Sequence, residues 1–313
     1  MASGTPLRPS SFDTFIGQNH VKEQLNLALE SAVMRDDVID HVLLAGPAGT
    51  GKTTLANIMS SRLGTRCVET IANVMRKPQD AANNLVNLRR GDILFIDEIH
   101  ALPITVQEYF YTAMEDYKIN TIAGRSRRAV TVNLQKFILV GATTNEGQLS
   151  SPMLSRFGLV CNLKPYSDQD VGMIATRGAK ALGIGITDEA IKLVVDRCRG
   201  VPRITLRHIK RMRDSATIMH KSMIDLESAI HAYRVLQIGE HGMTNQDRAV
   251  LKVLSGKKHA TGIQGVSSES NIDQETISNL IEPHLLRIGA IVRTPRGRLI
   301  TKVGEKINKD IQQ

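Results

Sequence analysis

The chain has 313 residues, 42% of them hydrophobic, enough for two or three domains with real apolar cores. Forty Lys+Arg against 31 Asp+Glu leave a formal charge of +9, a balance that favours a polyanionic partner without identifying one. Cys67, Cys161 and Cys198 fit neither a disulfide framework nor a zinc spacing, and no run reaches the roughly 20 apolar residues of a membrane span, so the expectation is a cytoplasmic protein with reduced thiols and no membrane contact.

Residues 1–9 read as a small, polar tail. Residues 12–18 (FDTFIGQ) lead into a helix over 21–34, and their place one helix ahead of the next motif lets them wall a base pocket. That motif spans 42–59, VLLAGPAGTGKTTLANIM. A buried parallel strand is followed at once by G-x-x-x-x-G-K-T (Gly46, Gly51, Lys52, Thr53) and a helix, the arrangement of a nucleotide-binding P-loop. Glycines let a phosphate chain approach main-chain N–H groups, and the helix N-terminus adds its positive end. The loop Gly46, Pro47, Gly49, Thr50, Gly51, Lys52, Thr53 and Thr54 is therefore the candidate ATP cradle. Lys52 is expected on the β- and γ-phosphates and Thr53 on Mg²⁺.

A strand over 66–71 and a helix over 77–88 follow. Residues 92–98 (DILFIDE) form a buried strand whose carboxyl end carries Asp97 and Glu98, where ligands bind in parallel sheets. Asp97 is expected in the Mg²⁺ shell and Glu98 on the attacking water. A helix over 104–114 precedes a hairpin, 119–122 and 129–134 about the turn at Ala123-Gly124, with Arg125, Arg127 and Arg128 at its tip. Those charges read equally as a solvated turn or a contact surface. The strand 137–142 ends in Thr143, Thr144 and Asn145, groups suited to the γ-phosphate and the lytic water. Residues 150–158 (SSPMLSRFG) carry Arg156, a surface charge or an arginine finger, and a last strand lies at 160–163.

Residues from about 167 to 238 read as all-helical, with caps at Ser167 or Asp168 and at Thr187, and with Arg203 at the start of a basic helix. After 239–242 come helices over 245–254 and 273–288, a shorter helix between them, and strands at 289–292 and 299–301. Three helices and a hairpin with a basic tip make a winged helix. Its wing brings Arg293, Arg296 and Arg298 together as candidate DNA contacts, although such domains also dock proteins. The fold class is α/β, with division at 1–165, 166–240 and 241–313.

DHVLLAGPAGTGKTTLANI, GDILFIDEIH, AMEDYKIN, LVGATT, SSP…RFG and IEPHLLRIGAIVRTPRGR together carry a family signature over nearly the whole chain. The chain resembles the RuvB family, hexameric AAA+ motors that drive branch migration of Holliday junctions. The resemblance implies an AAA+ P-loop ATPase domain with a parallel sheet core, a helical lid and a C-terminal winged helix. It gives Thr144 the sensor-1 place, Arg156 that of a finger acting in trans, and Arg203 that of a sensor-2 arginine on the γ-phosphate. It puts Arg8, Pro9, Ile16 and Tyr166 around the adenine, and implies a homo-hexamer on duplex arms of four-way junctions with a RuvA-like partner on the hairpin 119–134. The chain departs from the family pattern in GPAGTGKTT, in Leu154 where a second arginine is usual, and in the basic hairpin tip, which marks a diverged homologue. A clamp-loader-like ATPase that assembles a protein on DNA would share the P-loop, acid pair and SRF arginine, but would carry a helical collar in place of the winged helix. A DNA-binding adaptor with a vestigial P-loop is disfavoured by the intact set Lys52, Thr53, Asp97, Glu98, Thr144, Arg156 and Arg203.

Overall fold

The computed structural model describes residues 7–123, 128–257 and 259–310. Two compact units emerge: the chain up to Arg177 with Val201–Arg203, and Gly178–Gly200 with the chain from Ile204 onward.

The first unit is built on strands β1 (Val42–Ala45), β2 (Cys67–Ile71), β3 (Ile93–Asp97), β6 (Ile138–Thr143) and β7 (Leu159–Asn162), all parallel in the order β2-β3-β6-β1-β7. Side chains alternate across a strand, and both faces of this sheet are covered, so its strands read as unbroken apolar runs. Val42, Leu44, Ile93, Phe95, Ile138 and Val140 face helices α1 (Asn19–Arg35) and α2 (Lys52–Leu63). Leu43, Leu94, Ile96 and Leu139 face α3 (Pro78–Leu85) and α4 (Ile104–Asp116). His41 ties these layers together. Its Nδ1 accepts the Leu139 N–H (2.9 Å), which leaves Nε2 to donate to the Met114 carbonyl (3.1 Å). Burial lowers its pKa, which favours the neutral ring that this pairing needs.

Strands β4 (Lys118–Ala123) and β5 (Arg128–Asn133) form the expected hairpin, with Ile119 opposite Val132. Of its basic tip, Arg125 and Arg127 lie outside the described residues, as do residues 1–6 of the expected tail. The described cysteines are free, and burial raises the thiols of Cys67 and Cys161 to about 12 and about 11, which keeps them protonated and inert. Among the described residues no helix is long and apolar enough to cross a membrane.

The short helix α5 (Ser151–Leu154) belongs to the first unit, while helices α6 (Asp168–Ala181) and α8 (Pro202–Ile218) begin there and continue into the second. The second unit adds α7 (Asp188–Arg197), capped by Thr187, and α9 (Leu226–Leu236), capped by an Asp225–Ser228 box. The stretch is not all-helical as expected: β8 (Gly185–Ile186) and β9 (Met223–Ile224) pair in parallel. Two residues each are too short to show any period. The winged helix comprises α10 (Asn245–Ser255), α11 (Ile263–Ser270), a helical stretch over 274–287 containing a π turn at Ile277–Ile281, and β10 (Ile291–Thr294) paired antiparallel with β11 (Gly297–Ile300). A terminal helix, Lys302–Asp310, was not anticipated; its Asn308 donates to Ser255 Oγ (3.0 Å). Arg199 donates to the Gly242 carbonyl (2.7 Å) and pairs with the fully buried Asp247, whose carboxylate also caps α10.

Two buried histidines make this unit acid-sensitive. Burial, reinforced by Arg207, Arg199 and Arg197, lowers His208 to about 4, and burial with Arg199 and Arg287 lowers His284 to about 3. Unfolding restores both to about 6.5, so the unfolded chain takes up protons that the folded one refuses. Stability contributed by the neutral rings is full above about pH 6.5 and is lost as pH falls towards 4. His208 Nδ1 lies 3.1 Å from the Tyr233 hydroxyl. Thermal melting of His208→Gln is expected to decline less between pH 6.5 and 4.5 than that of the parent chain; an unchanged pH slope would show that His208 is not the titrating group.

Candidate functional site

The P-loop leaves the end of β1, where Gly46 adopts φ +141° and its absent Cβ would stand 2.4 Å from the Leu163 carbonyl oxygen. No L side chain fits there. Gly49, at φ +80°, similarly admits Arg203 and Val201, whose side-chain carbons would lie 2.9 Å from a Cβ. The Arg203 N–H donates to the Gly49 carbonyl (3.4 Å), so this exposed arginine stands beside the loop. Lys52 is buried, and its ammonium donates to the carbonyls of Gly46 (2.6 Å) and Pro47 (3.1 Å). Burial lowers its pKa, while the nearby Glu98 and Asp97 carboxylates oppose that shift and Arg203 adds to it. Lys52 is thus within electrostatic reach of Glu98, Asp97 and Arg203. Thr53 and Thr54 lie half-buried in the first turn of α2.

The residues expected to wall a base pocket lie as follows. Tyr166 is buried and donates to the Thr50 carbonyl (2.9 Å). Gln18 clasps Lys164 through two bonds, Nε2 to the carbonyl (2.6 Å) and Oε1 from the N–H (3.2 Å). The residues 12–18 therefore close over the P-loop, but it is the buried ring of Phe15 that meets Gly51. Ile16 and Pro9 are half-buried and Arg8 is exposed.

Asp97 ends β3, and Glu98 follows in the left-handed region at φ +50°. Asp97 Oδ1 accepts the Glu98 N–H (3.1 Å). Glu98 Oε2 accepts from the N–H (3.2 Å) and the hydroxyl (2.9 Å) of Thr144, the residue just past β6. His100 Nδ1 stands 3.3 Å from the same oxygen and 2.9 Å from Thr143 Oγ1. Neither Phe15 nor His100 has a spacing signal of its own; only membership in the quoted motifs could have flagged them.

Arg156 stands apart. Its guanidinium lies 4.4 Å from the centre of the Tyr111 ring, pairs with Glu115 (3.0 Å) and donates to the Pro152 carbonyl (2.7 Å). None of these partners belongs to the P-loop or the acid pair.

The wing corrects one expectation. Arg296 is exposed in its turn and Arg293 is 68% exposed, but Arg298 is buried and pairs with the buried Glu282 at 2.6 Å. Arg298 is a strut inside the domain, not a candidate DNA contact.

A parallel α/β sheet with a P-loop, a strand-end acid pair and a following helical lid defines an AAA+ P-loop ATPase, which binds nucleotide. Comparisons with known proteins narrow the class. The family profile for the Holliday junction DNA helicase RuvB P-loop domain matches residues 7–163, the RuvB AAA lid domain 166–239, and the RuvB C-terminal winged helix domain 240–308. The Holliday junction branch migration complex subunit RuvB of Thermotoga maritima is 42% identical over 304 residues, 96% of this chain and 91% of that protein. The subunit of the same name from Ligilactobacillus salivarius is 40% identical over 313 residues, 97% and 93% of the two chains. The solved Thermotoga maritima RuvB Holliday junction branch migration motor superposes with TM-score 0.88 at 41% identity, covering 97% of this chain and 98% of that one. The chain belongs to the RuvB family.

Arg298→Ala would leave the buried Glu282 carboxylate only its longer pair with the mostly exposed Arg293 (3.4 Å), at a cost of up to about 3 kcal/mol. Its winged helix should melt earlier than that of the parent chain, whereas Arg296→Ala should melt like the parent. Equal melting of all three would mean that the Glu282 pair contributes nothing.

Proposed function

We propose that the chain is an ATP-driven motor for branch migration of Holliday junctions in recombination and repair. The observation that carries this reading is the meeting of Lys52, Asp97, Glu98, Thr144 and Arg203 around one P-loop, in a chain that also carries a basic-tipped wing. The winged helix occupies the place where a clamp loader would carry its collar, which favours the motor.

Within this reading Gly46, Pro47, Gly49, Thr50, Gly51, Lys52, Thr53 and Thr54 hold the phosphates, and residues 12–18 with Tyr166 hold the base. Thr53 and Asp97 offer a hydroxyl and a carboxylate, hard oxygens that suit Mg²⁺; that ion takes few protein ligands and shares the substrate's phosphates. Bound there, Mg²⁺ would neutralise phosphate charge. Glu98 polarises the attacking water, Thr144 orients the γ-phosphate, and Arg203 adds positive charge beside the loop. Arg296 and Arg293 contact DNA phosphates, while the hairpin 119–134 receives a RuvA-like partner. Division at about 165 and 240 assigns one role to each part: hydrolysis, lid and DNA grip.

Branch migration of a synthetic four-way junction, with ATP, tests the motor. The parent chain should move the junction, alone or with a RuvA-type partner. Glu98→Gln should bind ATP but neither hydrolyse it nor move DNA, and Lys52→Ala should fail to bind it. Normal hydrolysis by Glu98→Gln would remove that residue from the chemistry.

Arg156 acts on a neighbour's ATP, so hydrolysis needs at least a dimer and, by family, a hexameric ring. Removing such a finger costs on the order of 10³-fold in turnover. Arg156→Ala and Lys52→Ala should each be inactive, yet mixing them should restore part of the ATPase, since an intact finger can then face an intact P-loop. Absence of recovery despite demonstrated subunit exchange would make Arg156 a structural residue or one that acts in its own chain's site.

A further inference from the structure

We infer that His100 is a positioning residue for hydrolysis, bracing Glu98 through Nδ1 when the γ-phosphate claims the proton of Thr144. The inference rests on the reading of Glu98 as the group that polarises water.

In the structure one oxygen of Glu98 accepts hydrogen bonds from the Thr144 N–H and hydroxyl, and His100 Nδ1 stands 3.3 Å from the same oxygen. Thr143 Oγ1, on the other side of Nδ1, already accepts the Asn145 N–H (3.0 Å) and is part of a fully buried side chain. A lone pair on Nδ1 would face the Glu98 carboxylate at 3.3 Å, an unfavourable encounter. An N–H at Nδ1, directed at Thr143 Oγ1 (2.9 Å), instead turns the positive edge of the ring towards the Glu98 carboxylate, so Glu98 favours that tautomer. His100 itself is held by this contact and by its place in the 3₁₀ turn Ile99–Ala101 that follows Glu98. Its side chain is only 17% exposed, so it cannot wander.

The Thr144 hydroxyl has a single proton. It can donate to Glu98 or to a phosphate oxygen, not to both. When phosphate takes it, Glu98 loses one of its three holds and relies on the Thr144 N–H and on His100. Glu98 already sits at an unfavourable φ of +50°, so its carboxylate direction depends on such side-chain contacts. His100 therefore acts through Glu98 and touches neither nucleotide nor water.

The test uses the full chain. His100→Phe keeps a ring and removes the donor, while His100→Asn keeps an N–H close to the Nδ1 position. His100→Phe should lower kcat about tenfold or more, the usual scale of losing a reacting group's orientation, with nucleotide affinity and KM nearly unchanged. His100→Asn should recover most of that loss. Full turnover by His100→Phe would overturn the inference, as would a His100→Asn chain no faster than His100→Phe while still binding ATP. If Glu98→Gln itself hydrolyses normally, the underlying reading of Glu98 fails and the inference falls with it, an outcome that is separately visible.

Discussion

Parallel pairing of β1 with β6, and of β6 with β3, is the constraint on which the site depends. The register sets Ala45 beside Thr143 and Ile96 beside Gly141, so the three chains leave the sheet at one edge as Gly46, Thr144 and Glu98. The Gly46 N–H extends the ladder by donating to the Thr143 carbonyl (3.1 Å). That register is enforced from both sides. Slipping a strand by one residue would exchange its two apolar faces, and each face is already filled by its own pair of helices. The placement of the P-loop, Thr144 and Glu98 at one end of the sheet is thus a consequence of core packing.

What the sheet cannot supply is conformation at its rim. Gly46 and Gly49 occupy positive-φ positions where a Cβ would strike Leu163 or Arg203. Glu98 has no such licence, yet stands in the left-handed region as a non-glycine. The Asp97 carboxylate takes its N–H, and Thr144 with His100 surrounds its side chain. Strain of this kind, of order 1–3 kcal/mol, persists only where the surroundings over-determine the conformation. Here they do so by joining the ends of two neighbouring strands, which makes the acid pair and the end of β6 one structural object.

Legibility in the sequence followed the covalent spacing of the signal. The P-loop and the acid pair are runs in which strand, loop and helix are adjacent along the chain, so pattern alone located Lys52 and Glu98. Residues that depend on side-chain direction were harder to place. Arg293, Arg296 and Arg298 look alike in sequence, yet Arg293 pairs with Arg298 across the hairpin, so both point to the face that holds Glu282, while Arg296 sits in the two-residue turn. Counting outward from the turn would have found this, because directly opposed residues share a face. Phe15 and His100 were invisible for another reason: their partners, Gly51 and Thr143, come from other parts of the chain and meet them only through the fold.

Arg156 shows how a departure from the family pattern is absorbed. Leu154, where a second arginine is usual, packs against the apolar cluster that includes Met153 and Phe157. The segment 150–158 therefore carries a single cation. A lone arginine acting across an interface must not lose much rotamer freedom on engagement, since each immobilised long side chain costs about 0.5–1.5 kcal/mol. The stacking on Tyr111 and the pair with Glu115 restrict it beforehand, and Tyr111 is fixed in turn through Ser150 (2.9 Å) to the buried Gln107 (2.6 Å). Loss of the second cation is thus accompanied by tight anchoring of the first. In the proposed trans role Glu115 and a neighbour's phosphate would compete for the same guanidinium, so the anchoring would also set a threshold: the finger would transfer only where the incoming negative charge exceeds that of one half-exposed carboxylate.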